Sequence, residues 1–121
     1  MRPELESPPM VAHAAAKMTD YHRDVVDEVR AAIAAHDLVI VGMAINPHPR
    51  RVRRALDAAG VPYHYLSYGS YLSRWHDRLA IKLWSGWPTF PQVFVKGQLL
   101  SGANSTIKLL EDGTLAQMLA S

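Results

Sequence analysis

Residues 38–44, LVIVGMA, run for seven positions without a polar side chain. A strand with one wet face alternates apolar and polar residues, so an unbroken run of this length fits a strand buried on both faces. Burial on both faces requires helices above and below a sheet, and this one segment therefore points to an α/β architecture. The flanks agree. From Thr19 to about Ala35 the pattern is helical, with Val25, Val29 and Ala32/Ile33 on one stripe, Val26 beside it, and Thr19 or Asp20 placed to cap the start. After the run, Pro49 suits the first position of a second helix. Val52, Leu56 and Ala59 form its inner side and Gly60 ends it.

The rest of the chain continues the alternation. PYHYLSY (62–68) reads as a strand with Tyr63, Tyr65 and Ser67 on one face and His64, Leu66 and Tyr68 on the other. Ser73 is placed to cap a third helix through about Trp84, with an expected inner face of Leu79 and Leu83 beside Trp75 and Ala80. SGWPTFP forms a loop, QVFVKGQLL (92–100) a hairpin turning at Lys96-Gly97, and two short helices, about 104–112 and 114–120, close the chain around Gly113. The order is αβαβαββαα. Two β-α-β units at the front predict parallel pairing, and the hairpin adds antiparallel strands. Residues 1–17 read as a flexible tail and residues 18–121 as one folded domain.

Composition narrows the function classes. Apolar residues make up 49% and charged residues 20%, the balance of a soluble globular protein. A net charge of +2, with the basic residues scattered rather than striped, does not call for nucleic acid. The start, MRPELESPPMVAHAAAKM, has neither a basic leader nor an uninterrupted apolar segment, and no run is long enough to cross a membrane. A cytoplasmic location is the expectation. The 121 residues contain no cysteine, which removes disulfides, thiolate metal ligands and any nucleophilic thiol belonging to the chain.

The element order together with KLWSGWPTFPQVFVKGQLLSGAN resembles the glutaredoxin family. The Trp-Pro-Thr-x-Pro-Gln string is closest to its monothiol branch, and the resemblance covers roughly residues 37–120. It implies a thioredoxin-like, glutaredoxin-type three-layer α/β/α fold around a four-stranded mixed sheet. It also implies glutathione as a ligand, held by four elements. The first, the active-loop cysteine, is replaced by Asn46 in Asn46-Pro47-His48-Pro49, where CPYC or CGFS is typical. The second, a lysine before that loop, is missing, the strand end reading Gly42-Met43. The third, a basic residue seven positions before the loop threonine, is matched by Lys82 ahead of Thr89. The fourth joins that threonine, a cis-proline and a Gly-Gly-x-Asp turn. Thr89, Phe90 and Pro91 keep the first part, while the turn reads Ser101-Gly102-Ala103-Asn104 with an amide for the acid. The loop at Asn46 has the short length of dithiol members.

Each of these residues also has a plainer reading. Pro91 shapes a turn, Lys82 is solvated, and Asn104 is an N-cap; taken together, they line a groove for a peptide with carboxylates at both ends. Asn46 either caps the helix that follows or hydrogen bonds a bound thiol peptide, and in neither role can an amide perform thiol–disulfide exchange. His48 is either an exposed loop histidine or an acid–base group, and one histidine without partners makes no metal site. Arg50, Arg51, Arg53 and Arg54 at a helix start oppose its dipole, which either leaves a solvated basic face or invites an anionic partner. Trp75, Trp84 and Trp87 read as core or groove walls, with any exposed member marking an interface.

The expectation is a cysteine-free binding module for glutathione, a thiol peptide or a protein partner, with no metal and no resident cofactor, as monomer or homodimer. Two alternatives remain. One is a transferase-like enzyme that activates the ligand's own thiol through Asn46 or His48; the other is a structural dimerisation module built on the tryptophans. Iron–sulfur carriage needs a protein thiolate and is disfavoured.

Overall fold

A computed structural model describes residues 23–44, 46–69, 73–100 and 102–121. The expected tail and the cap at Thr19 or Asp20 lie outside the described residues. Nine elements stand in the predicted order: α1 (Arg23–Ala35), β1 (Leu38–Gly42), α2 (Pro47–Ala58), β2 (His64–Ser67), α3 (Trp75–Ser85), β3 (Gln92–Val95), β4 (Gln98–Leu100), α4 (Ala103–Glu111) and α5 (Thr114–Ala120).

The sheet runs β2-β1-β3-β4. β1 pairs in parallel with β2, Val39 opposite His64, and antiparallel with β3, Ile40 opposite Val93. All five residues of β1 are buried, as its sequence requires. Leu38 and Ile40 join one core with Val52 and Leu56 of α2, Ala103 of α4 and Leu115 of α5. Val39 and Val41 join the other with Val25, Val29 and Ala32 of α1 and Ile81 of α3. Strand alternation thus feeds two cores from one apolar run, and each fully buried valine or leucine contributes roughly 1.5–3 kcal/mol. The faces of β2 divide as expected, Tyr63 and Tyr65 packing on the α2 side and Leu66 and Tyr68 on the α1 side. The hairpin turns at Lys96 and Gly97, both at positive φ (48° and 83°), the backbone of a two-residue turn that matches strand twist.

Several expectations need correction. The second β-α-β unit is not parallel, because β3 enters next to β1 from the opposite direction. Pro47 rather than Pro49 takes the first position of α2, and Ala59 is its exposed C-cap, not an inner residue. The start of α3 is not capped by Ser73; Arg74 occupies the cap position in left-handed backbone without a side-chain cap bond. The largest correction concerns which way α3 faces. Trp75, Leu79, Leu83 and Trp84 are 53%, 38%, 50% and 39% exposed, whereas Arg78, Ala80 and Ile81 are buried. Trp75 and Trp84 are therefore not core residues, although Trp84 lies 5.8 Å from the Phe94 ring. The Arg78 guanidinium donates to the carbonyls of Tyr68 (2.8 Å) and Ser73 (2.5 Å), which turns α3 to this face.

Candidate functional site

Strand register gathers the candidate residues at one end of the sheet. Val41 stands opposite Gln92 and Leu100 opposite Val93. Continuing the first ladder by one residue and the second by two sets Pro91 between Gly42 and Gly102. The loop after β1, the loop before β3 and the turn after β4 therefore meet, with Asn46, Thr89-Phe90-Pro91 and Gly102-Ala103-Asn104 on them.

Asn46 is the N-cap of α2, and its Oδ1 accepts the His48 N–H at 2.9 Å. The start of a helix leaves four N–H groups without intrahelical partners. Here Pro47 and Pro49 supply none and Asn46 occupies that of His48, leaving at most the N–H of Asn46 itself. This helix start has little left with which to stabilise an anion, so the loop lacks both a thiol and the donors that lower a thiol's pKa. His48 is exposed. Pro49 is buried, and a Cβ at Gly42 would lie 2.9 Å from both the Pro49 Cβ and the Tyr65 hydroxyl. Gly42 is thus required by close approach of the loop to the strand end.

On the α1–α3 side, the Phe90–Pro91 peptide is cis, Phe90 and Pro91 are buried and Thr89 is exposed. Half-buried Lys82 places its Nζ 5.7 Å from the Phe90 ring centroid, so the spacing of Lys82 and Thr89 does bring the cation to this loop. Behind it, fully buried Gln92 donates from Nε2 to the Trp87 carbonyl at 3.0 Å, bracing the loop from within. Trp87 is half-buried.

On the α2–α4 side, Gly102 is the N-cap of α4 and Ala103 is buried at its first position. Asn104 is not the N-cap; it lies within the first turn, exposed, and its Oδ1 accepts a hydrogen bond from the Arg51 guanidinium. Sequence reasoning singled out both residues but not their pairing, which spans 53 positions and carries no local signal. Arg53 turns the other way and lies 4.0 Å over the Tyr65 ring, a cation–π contact. Arg50 and Arg54 are exposed.

A second set of functional-looking groups was not foreseen. The Tyr68 hydroxyl donates to the Glu28 carboxylate, and burial, followed by that bond, raises the Tyr68 pKa above the ordinary tyrosine value. The Arg74 guanidinium lies 5.0 Å from the same ring and pairs with Asp77 at 2.7 Å. At the opposite end of the sheet His36 and His64 stack at 4.2 Å. Among the described residues no three histidines, aspartates or glutamates gather as a metal site, and no helix is long and apolar enough to cross a membrane.

Known proteins are similar to this chain in sequence and in fold. The glutaredoxin family model matches residues 47–100. A glutaredoxin-like protein of Dictyostelium discoideum is 50% identical over 98 residues, covering 81% of this chain and 80% of its own. A probable monothiol glutaredoxin of Legionella pneumophila is 33% identical over 69 residues, covering 57% of this chain and 74% of its own. The crystal structure of a buckwheat glutaredoxin–glutathione complex is similar with a TM-score of 0.70 at 22% identity, covering 81% of this chain and 89% of that one. With its central strand buried on both faces, its proline-rich loop into α2 and asparagine at the head of that helix, the chain belongs to the glutaredoxin family.

Proposed function

We infer that this protein binds glutathione, or a cysteine-containing peptide or protein segment, across the loop end of its sheet without exchanging electrons with it. The observation that carries the reading is Asn46. It stands at the head of α2 with its amide oxygen committed to the His48 N–H, so its two amide N–H donors are what remain for a ligand's sulfur or backbone. Thiol–disulfide exchange proceeds by attack of a thiolate on a disulfide sulfur, and no group in this chain supplies one. Lys82 beside Phe90, and Asn104 with Arg51, flank the same sheet end and fit a ligand bearing carboxylates. The buckwheat complex, a glutaredoxin holding glutathione, supports glutathione as the first ligand to try.

Calorimetric titration tests this. The expected result is saturable heat with a Kd of about 1 mM or tighter, equivalent to roughly −4 kcal/mol or better. Absence of heat at millimolar ligand, with the protein folded by circular dichroism, contradicts it.

A further inference from the structure

The charge at the two ends of this binding surface specifies its ligand further, a refinement that rests on the groove itself being a binding site. At one end the Lys82 ammonium lies beside Phe90. At the other, Arg51 donates to the Asn104 Oδ1, which occupies the amide oxygen and sets a guanidinium in the same place. Arg50 and Arg54 stand exposed on the same helix, and Lys108 comes one turn after Asn104 on α4. Two carboxylates lie on these helices, and neither is on the first turn of its helix. Glu111 is two turns beyond Asn104, about 10 Å along the axis, and lines with Arg51 and Lys108 a cavity of about 460 Å3 between α2 and α4. Asp57 sits near the far end of α2, hydrogen-bonded to Tyr63. The ion pairs found among the described residues use Asp27 and Asp77, on α1 and α3, and none of them involves Arg50, Arg51 or Arg54.

Both ends therefore favour an anion. A ligand ammonium meets a cation whichever way round the ligand lies. Glutathione carries such an ammonium on its γ-glutamyl end, together with a carboxylate at each end. A like charge at about 4 Å costs about 1 kcal/mol even in bulk water and more at a partly buried site. We propose that Arg51 and Asn104 make this surface select an extended acidic peptide segment with a carboxylate near each end and no free amino group, in preference to glutathione itself. An acidic stretch within a protein chain has that chemistry.

The test compares two probes that differ only in the ammonium: glutathione and glutaryl-cysteinylglycine, titrated by calorimetry at low ionic strength. The native protein is expected to bind the deamino probe at least about five-fold more tightly. Arg51→Ala should shrink that preference to under about two-fold, and Asn104→Asp, which returns a carboxylate to the site, should invert it. Equal or tighter binding of glutathione by the native protein overturns the inference while leaving the groove intact. So does a preference that neither substitution changes, because net charge alone would produce it. If neither probe binds, the groove reading itself falls, and the inference with it.

Discussion

Helices α2 and α3 have similar lengths and flank the same sheet, yet they solve the choice of buried face in opposite ways. α2 buries Pro49, Val52 and Leu56 and turns Arg50, Arg51 and Arg54 to water, as its amphipathic pattern requires. α3 buries an arginine with Ala80 and Ile81 and leaves Trp75, Leu79 and Leu83 half in water. Hydrophobicity alone would rotate α3 the other way. It is overruled where the chain leaves β2, because Nη1 of the Arg78 guanidinium reaches inward to donate to the carbonyls of both Tyr68 and Ser73. A helix follows its apolar stripe when only apolar groups compete for the interior; an arginine that bonds two backbone carbonyls can outweigh two leucines.

Substitutions along the two helices should separate these cases. The largest effect is expected at Leu56, fully buried under the sheet, where Leu56→Ala should cost about 3–5 kcal/mol in urea unfolding. Arg78→Met comes next. It keeps the apolar stem but removes the bonds to two carbonyls, for a loss of about 2–3 kcal/mol, and a gain in stability would show that the guanidinium does not orient the helix. Tyr68→Phe should cost about 1–2 kcal/mol by removing the bond to Glu28. This effect has a pH signature. The folded state raises the tyrosine pKa, so the stabilisation is fully present below the ordinary value of about 10 and is lost as pH rises through the alkaline range. Stability curves of native protein and Tyr68→Phe should therefore converge above about pH 10. The smallest effect is expected at Leu83, half-exposed on α3, where Leu83→Ala should stay within about 0.5 kcal/mol. A loss there comparable with that at Leu56 would mean that the α3 face is covered in solution.

The same contrast explains what the sequence makes legible. LVIVGMA announces its doubly buried strand because every side chain in it agrees, and the hairpin turn is written in Lys96-Gly97. The Asn46 cap, the burial of Val52 and Leu56, and the approach of Lys82 to Phe90 come from spacing along single elements or between neighbours. The inverted face of α3 is hidden because its cause is a pair of backbone carbonyls, which no residue identity reports. Antiparallel entry of β3 is hidden because the connection through α3 has room to return either way. At the site, Arg51 and Asn104 are each visible as polar residues at a helix start, but their bond joins two helices across the fold.

The central claim is that the head of α2 binds without reacting, because Asn46 replaces the thiol and two prolines remove the donors that would activate one. The direct measurement is turnover of a glutathionylated peptide by the purified native protein, run beside the Asn46→Cys variant. The native protein is predicted to leave the rate at the buffer background while Asn46→Cys raises it. Catalytic reduction by the native, cysteine-free chain would contradict the account.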